Sequence, residues 1–326
     1  MRVRIAVLAG GVGGSRFVAG VRAAYPAARL DVIVNTADDV TLHGLRICPD
    51  LDTMMYALGG GADTERGWGR AGETWGVLAE LREYAVEPLW FSLGDKDIAT
   101  HLIRTQLLAS GYALSEVTAA LCTRWLGHDP HLRLVPMSDD RVETHVVIDD
   151  AGEESGRRAV HFQEYWVRLH AEPVARAVLQ VGIEQARPAP GVLDALAGAD
   201  LILLAPSNPV VSIGPILAVP GVRAAVRGAR AAVIGFAGIL GGAPVLGMAH
   251  RLLPAIGVEV DAAAVGRHYG ARSAGGVLDA WVVDHADAES LPGLASTGLR
   301  TLADDLIMNT PEATSRFVRH AVAAFS

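Results

Sequence analysis

The stretch RIAVLAGGVGGS, residues 4–15, joins a short apolar run to a turn with four glycines in five residues. Residues 4–8 have the composition of a buried strand, and residues 14–24 continue as a helix. Glycines let the backbone approach a phosphate closely, and the helix that follows offers free N–H groups and the positive end of its dipole. The stretch therefore predicts a strand, a phosphate-binding turn and a helix.

The spacing of these glycines differs from the two common nucleotide-binding patterns. It is not G-x-G-x-x-G, and no Lys-Ser or Lys-Thr pair follows, as a P-loop requires. An NAD-dependent oxidoreductase or a P-loop ATPase is therefore disfavoured. A tight strand-to-helix turn without a ligand is the structural alternative.

Similar apolar runs recur along the chain at residues 30–35, 200–205 and 231–235. The run DLILLA, residues 200–205, is almost wholly apolar, as expected of a parallel strand that is covered on both faces. These runs alternate with helical segments, which predicts an α/β fold with a Rossmann-like, doubly wound, mostly parallel sheet.

One segment interrupts this alternation, because residues 96–175 read as paired helices followed by strands. We interpret this segment as an α+β insertion on the core and not as an independent domain. The sequence thus predicts a single domain over residues 1–326, with a core at about 1–95 and 176–285, the insertion at about 96–175, and a helical C-terminal segment at about 286–326.

Composition limits the classes of partner. The chain has 326 residues and a net charge of −8 without a basic run, which disfavours nucleic acid and anionic lipid as ligands. Two cysteines in so long a chain argue against a disulfide scaffold and favour a reducing, cytoplasmic location. Residues 231–249 carry no charge, but their glycines and proline favour a strand and a tight loop over a membrane span.

Two acidic motifs follow the first strands. The motif NTADD, residues 35–39, ends the second strand, and CPDLDT, residues 48–53, opens the next helix. Ligands of parallel sheets bind beyond the carboxyl ends of the strands, where Asp38 and Asp39 could hold Mg²⁺ or a ribose hydroxyl. Asp50 is close enough in sequence to complete such a metal site or to orient an acceptor hydroxyl. The alternatives are a turn or helix cap by Asp38 or Asp50, with Asp39 solvated.

Three later loops also carry polar or glycine-rich patterns. APSNPVVSIGP, residues 205–215, follows the most apolar strand, and its Asn208 offers a donor and an acceptor to a base or phosphate. FSLGDKD, residues 91–97, places Lys96 between two acids, as a cation for a phosphate or an electron-rich ring. GGAP, residues 241–244, could form a second wall of the same cleft. Each loop could instead be ordinary turn or capping chemistry.

Taken together, GGVGGS, NTADD, CPDLDT, SLGDKD, APSNPVVSIGP and HYGAR, residues 268–272, resemble the CofD/FbiA family of phospholactate transferases of coenzyme F-420 biosynthesis. The likeness extends from the first strand to about residue 285. It implies that the terminal ribityl hydroxyl of the deazaflavin Fo attacks a GDP-linked phospholactate or phosphoenolpyruvate, releasing GMP, with Mg²⁺ as cofactor. The family also implies a homodimer.

The resemblance assigns roles to individual residues. It implies that Asp50 and Lys96 contact the deazaflavin, that Asp38, Asp39 and Asp50 are candidate metal ligands, and that Asp39 and Asp50 are the candidate catalytic residues. The guanosine diphosphate portion would be held by Gly11, Val12, Gly13, Gly14, Ser15, Ser207 and Asn208. The main alternative is a non-catalytic nucleotide-sugar-binding regulator of the gluconeogenesis-factor type, which has a similar glycine turn.

Overall fold

The computed structural model describes residues 2–325, and within them the chain forms fourteen strands and twelve α-helices. The strands are β1 (Arg4–Ala9), β2 (Arg29–Val34), β3 (Val40–Leu42), β4 (Leu45–Ile47), β5 (Leu132–Pro136), β6 (Glu143–Asp149), β7 (Arg157–His161), β8 (Ala175–Val181), β9 (Leu201–Leu204), β10 (Ala232–Phe236), β11 (Ile239–Leu240), β12 (Ala243–Pro244), β13 (Ala280–Asp284) and β14 (Arg300–Asp304). The α-helices are α1 (Gly11–Ala24), α2 (Pro49–Leu58), α3 (Gly76–Glu83), α4 (Asp95–Ala109), α5 (Leu114–Leu126), α6 (Val192–Gly198), α7 (Gly214–Ala218), α8 (Val222–Gly228), α9 (Ala249–Leu252), α10 (Ala262–Tyr269), α11 (Leu291–Ala295) and α12 (Pro311–Phe325).

Seven strands form one parallel sheet in the order β14-β13-β10-β9-β1-β2-β5. The chain starts in the middle at β1, moves outward through β2 and β5, and then returns to build the other half from β9. The order of strands therefore reverses between β1 and β9, which is the strand arrangement of a doubly wound Rossmann-like sheet. The predicted fold class is confirmed.

The sheet is covered on both faces, as its composition requires. Every residue of β9 is buried, and β1 contacts both α1 and α6. An aromatic cluster fixes α1 and α12 over the sheet, because Phe17 of α1 lies 4.9 Å from Phe236 of β10 and 6.3 Å from Phe317 of α12, measured between ring centroids. Such pairs bury large apolar area and hold the helix that carries the glycine turn in place.

Two strands lie elsewhere than the sequence-based boundaries placed them. β5 falls inside the predicted insertion, yet it pairs with β2 at one edge of the main sheet. β14 falls inside the predicted helical C-terminal segment, yet it pairs with β13 at the opposite edge. Local pattern does not reveal these pairings, since each partner strand is distant in sequence.

Smaller elements surround the cleft end of the sheet. β6, β7 and β8 form an antiparallel sheet, β3 and β4 form a hairpin, and β11 and β12 form another. The uncharged residues 231–249 comprise β10, the β11–β12 hairpin and the first residue of α9. No single helix in residues 2–325 has the length and apolarity needed to cross a bilayer. The helical segments 209–218 and 222–228 meet both criteria only when they are taken together, and they are bent by 84° relative to each other.

Candidate active site

A cleft of about 920 Å³ opens at the carboxyl ends of β1 and β9, where the strand order reverses. This is where open parallel sheets bind ligands, and the volume suits a nucleotide-sized molecule. The loops after β1, β2, β9 and β10 all contribute to its wall. Residues from these loops that line it include Gly10, Gly11, Val12, Gly13, Arg16, Asp38, Pro206, Ser207, Asn208, Ala237 and Gly238.

The glycine turn after β1 is the start of α1, whose first residue is Gly11. Ser207 ties this turn to the loop after β9, because its hydroxyl accepts a hydrogen bond from the Gly10 amide (3.1 Å) and donates one to the Gly10 carbonyl (2.8 Å). A Cβ on Gly10 would overlap the Asp50 carboxylate, so only glycine allows this approach. The amides of the first turn of α1 have no partners within the helix and lie at the cleft wall, where they can bind an anion; the Gly11 amide also contacts the Asp50 carboxylate.

The residues predicted to hold a nucleotide separate into two groups. Gly11, Val12, Gly13, Ser207 and Asn208 line the cleft. The other two, Gly14 and Ser15, are on the buried side of α1 and do not line the cleft.

Their burial has a structural cause. A Cβ on Gly14 would lie 2.7 Å from Ser207 Oγ, and the Ser15 hydroxyl donates to the Val12 carbonyl (2.9 Å). Gly14 thus permits close packing of α1 against the loop after β9, and Ser15 closes the first turn of the helix.

Asn35 forms hydrogen bonds with two of the predicted aspartates and bridges them. The Asn35 amide nitrogen, Nδ2, donates to Asp38 Oδ2 at 3.1 Å and to Asp50 Oδ2 at 3.0 Å, so the two oxygens lie no more than about 6 Å apart. Asn35 and Asp38 follow β2, whereas Asp50 lies in the first turn of α2 and not at the N-cap, which is Cys48. Two elements therefore present one pair of carboxylates to the cleft.

Burial changes the proton affinity of this pair. It raises the pKa of Asp50 to about 7, although the hydrogen bond from Asn35 acts in the opposite direction. Burial also raises the pKa of Asp38 well above its usual range, and the nearby Asp50 charge adds to the effect. Two desolvated carboxylates at this separation hold a proton or a cation more readily than ordinary surface aspartates do.

The donor set fits a divalent cation of the Mg²⁺ type. Asp38 is 3% exposed, and its Oδ1 atom is buried without a hydrogen bond of ordinary geometry among residues 2–325, although the Thr144 hydroxyl lies close enough to lower the pKa of the carboxyl. Carboxylate oxygens are the ligands that hard divalent cations prefer, and an unpaired buried oxygen is costly without a partner. Asp38 and Asp50 are the residues that could hold such an ion.

Asp39 lies apart from this pair, although the sequence grouped it with them. It does not line the cleft, and its Oδ2 pairs with Arg46 Nη2 at 3.0 Å. Burial raises the pKa of Asp39 to about 6, against the opposing charge of Arg46. Asp39 thus anchors the β3–β4 hairpin, while its sequence neighbour Asp38 faces the cleft.

A second acidic cluster, which contains a histidine, lines the same cleft. Asp52, Asp97 and His101 bring three potential ligand atoms within 4.8 Å of one another. Arg104 enters the cluster by pairing with both oxygens of Asp52 and by donating to His101 Nδ1 at 3.2 Å. The i,i+4 spacing of Asp97 and His101 on α4 is the sequence signal that indicates the pair.

The arginine determines the character of this cluster. Arginine only donates hydrogen bonds, so Nδ1 of His101 accepts and Nε2 carries the proton that faces Asp97 Oδ2 at 3.4 Å. Asp52 is already neutralised by Arg104. We therefore regard the cluster as an ion-pair network that joins α2 to α4.

Lys96 does not line the cleft. Its side chain is exposed, and Nζ donates to the Ala71 carbonyl at 3.3 Å. The same region instead presents aromatic side chains to the cleft, and these were missed from sequence: Trp68, Trp90, Phe91 and Trp166. Trp68 is 47% exposed and Trp166 41% exposed, which is unusual for residues of this size.

A single cationic side chain accompanies the glycine turn at the cleft wall. Arg16 follows Ser15 on α1, is exposed, and makes no hydrogen bond or ion pair within the described part of the chain. Arg66 also lines the cleft, but it is already paired with Asp63 at 2.7 Å. Arg16 is thus the cation available to an anionic ligand near the amides of α1.

Comparison with known families identifies the chain. The family model described as 2-phospho-L-lactate transferase CofD matches residues 5–312. The chain belongs to the CofD family. The match includes every cleft residue described above and both edge strands of the main sheet.

Curated relatives of this CofD-family chain are similar over nearly their full length. A protein of Nocardia farcinica is 55% identical, covering 98% of this chain and 94% of its own, and one of Kitasatospora aureofaciens is 56% identical, covering 98% and 97%. A protein of Mycobacterium tuberculosis is 51% identical, covering 97% of both chains. All three are named phosphoenolpyruvate transferase.

Solved structures support the fold of this CofD-family chain. Two structures of a Bacillus halodurans protein, described as a member of the UPF0052 family, superpose with TM-scores of 0.62 and 0.64. They are 17% and 15% identical in sequence, and each alignment covers at least 98% of both chains. At this identity the likeness concerns the arrangement of the backbone alone.

Proposed function

We propose that this CofD-family transferase moves a phosphoenolpyruvyl group from a GDP-linked donor to the terminal ribityl hydroxyl of the deazaflavin Fo. The hydroxyl oxygen bonds to the phosphorus that carries the three-carbon acid, the bond from that phosphorus to the oxygen bridging the two phosphates breaks, and GMP leaves. The main support for this proposal is that the start of α1, with its backbone amides, and the Asp38–Asp50 pair line the same cleft. The names of the relatives favour enolpyruvate over lactate as the acid.

The donor diphosphate binds at the start of α1. Gly11, Val12 and Gly13 contribute backbone N–H groups and the positive end of the helix dipole. Arg16 adds a full positive charge on the same helix, and the Nδ2 group of Asn208 is a further donor. Because phosphoryl transfer depends mainly on alignment and charge neutralisation, these groups account for much of the chemistry that the protein must supply.

Asp38 and Asp50 would hold the Mg²⁺ ion. Such an ion, when bound, would neutralise charge on the phosphates of the donor. Asp50 also provides a carboxylate that accepts the proton of the acceptor hydroxyl. Asp39 is left out of the catalytic set, since it pairs with Arg46 away from the cleft.

The aromatic side chains form the acceptor side of the cleft. Trp68, Trp90, Phe91 and Trp166 offer flat apolar surface to a planar deazaflavin ring. Lys96, predicted for this contact from the family resemblance, is exposed and directed toward the Ala71 carbonyl instead. A cytoplasmic location and a homodimer stay predictions.

The direct test is product formation. Purified protein is incubated with Fo, Mg²⁺ and GDP-linked phosphoenolpyruvate or GDP-linked phospholactate, and the products are weighed by mass spectrometry. We expect GMP and the enolpyruvyl phosphodiester of Fo. A chain that binds nucleotide but yields no phosphodiester from either donor would refute the transferase proposal and favour the regulator of the gluconeogenesis-factor type.

A further inference from the structure

Asn35 is a fully buried side chain, and two of its three polar contacts are to the carboxylate pair. It is 0% exposed at the end of β2. Its Oδ1 accepts from the Ala37 amide at 3.0 Å, which fixes the orientation of the side chain. Its Nδ2 then points between Asp38 and Asp50 and donates to both. Nothing in the chemistry proposed above uses Asn35 itself.

We propose that Asn35 is a positioning residue that fixes Asp38 and Asp50 relative to each other for binding a divalent cation. This inference rests on the proposed function, since it assumes that the pair binds an ion. Asn35 contacts neither substrate nor ion in this account; it acts through the two carboxylates.

The local charge explains why an amide is suited to this position. Two buried carboxylates repel each other, and each needs a donor that adds no net charge to the site. One NH₂ group has two hydrogens and can satisfy both acceptors at once, whereas a serine hydroxyl has one. An aspartate at this position would add a third buried negative charge and remove both donors.

The surrounding backbone limits how far the pair could rearrange without Asn35. The Gly10 backbone lies against Asp50 on one side, and Asp38 is held by its own carbonyl, which accepts from Gln163 Nε2 at 3.3 Å. Without Nδ2 the pair loses the one donor that its two members share, and only the separate contacts of Asp38 with the Thr144 hydroxyl and of Asp50 with the Gly11 amide are left. We therefore expect loss of ion affinity with the backbone of the site retained.

The test measures binding of Mn²⁺ as the probe ion, by electron paramagnetic resonance of the free ion, with and without GDP. Asn35→Ala should raise the Kd for Mn²⁺ by about 10- to 100-fold, the range for residues that orient metal ligands. The Kd for GDP without metal should change little. In turnover, the Mg²⁺ concentration for half-maximal rate should rise more than kcat falls.

Ser138→Ala is the matched control. Ser138 is also 0% exposed at the end of a strand of the main sheet, and its hydroxyl donates to the Arg187 carbonyl at 2.6 Å, outside the cleft. The control loses a buried polar contact but should keep the wild-type Kd for Mn²⁺. Equal weakening in both variants would show a general effect of destabilisation and overturn the inference.

Further outcomes separate the inference from the proposed function. Wild-type protein that binds no Mn²⁺ with or without GDP would refute the ion site itself. Wild-type binding that Asn35→Ala leaves unchanged would refute only the role of Asn35.

A second variant and a double-mutant cycle complete the test. If Asn35→Ala loses GDP binding because it misfolds, Asn35→Ser retains a hydroxyl for the Ala37 amide and should still weaken Mn²⁺ binding. In an Asp50→Asn background, Asn35→Ala should weaken binding less than it does in the wild type, because one of its two partners is gone. Full additivity would contradict action through Asp50.

Discussion

Replacing Asp50 with asparagine should stabilise the metal-free protein while strongly lowering the rate of transfer. Burial raises the pKa of Asp50 from an ordinary value of 3.8 to about 7. In the unfolded chain the carboxyl ionises near its ordinary value, so between these pH values the folded state holds a proton that the unfolded state has lost. Stability therefore falls as pH rises through this window, and the loss is complete above about pH 7.

The size of the effect follows from the same shift. A rise of the pKa from 3.8 to about 7 corresponds to a few kcal/mol, at about 1.4 kcal/mol per pKa unit. Asp50→Asn removes this pH-dependent loss of stability, because asparagine does not ionise. The new side chain can still accept a hydrogen bond from Asn35. We expect the variant to unfold at higher urea concentration than the wild type at pH 8 in EDTA, with a difference of a few kcal/mol that nearly vanishes at pH 4.

The matched control is Asp31→Asn on β2. Asp31 is also buried, but it pairs with Arg133 at 2.7 Å and with Arg29 at 3.3 Å. Removing an ion-paired carboxylate should destabilise the protein at pH 8, the opposite sign. Transfer by Asp50→Asn should fall by about 10²-fold or more, as for loss of a proton acceptor. An Asp50→Asn protein that is no more stable than the wild type at pH 8, or that remains active, would refute the reasoning.

Three further substitutions test separate parts of the cleft. Arg16→Gln should raise the Kd for GDP by about tenfold or more in calorimetry without changing the melting temperature, because the arginine has no partner in the described residues; unchanged affinity would remove it from the donor site. Gly10→Ala should lower the rate of transfer far more than Gly228→Ala, because a Cβ on Gly10 overlaps the Asp50 carboxylate and a Cβ on Gly228 meets nothing within 4 Å. Equal rates would contradict the close contact of the Gly10 backbone with Asp50. Trp68→Ala should raise the Kd for Fo by about fivefold, followed by Fo fluorescence, while Lys96→Ala should not; the reverse result would restore the lysine contact.

Local sequence patterns predicted the centre of the fold well. The apolar run of β1, the glycines after it and the charge-free run of β9 each have a local physical cause, so their positions could be predicted without knowledge of the partners. The strands β5 and β14 could not be placed in the sheet in the same way. Their residues also suit an isolated strand or hairpin, and their pairing with β2 and β13 depends on contacts that are distant in sequence.

The same limit applies to the site. The position at the end of a strand indicated the two aspartates after β2. Which of them faces the cleft depends on the conformation of one turn, in which Arg46 pairs with Asp39 and not with Asp38. The Asn35 bridge needs Asp50 from another element, and the ion-pair network of Asp52 with His101 needs two helices to meet. Contacts between side chains of different elements form only when the chain packs, so no local sequence pattern predicts them.

The most direct measurement is a crystal structure of the protein with GDP and Mn²⁺, with the ion located by its anomalous scattering. The account predicts one strong peak within bonding distance of Asp38 and Asp50, and phosphate oxygens at the amides of Gly11 to Gly13. An ion at the network of Asp52 and His101, or phosphates bound away from the start of α1, would contradict it.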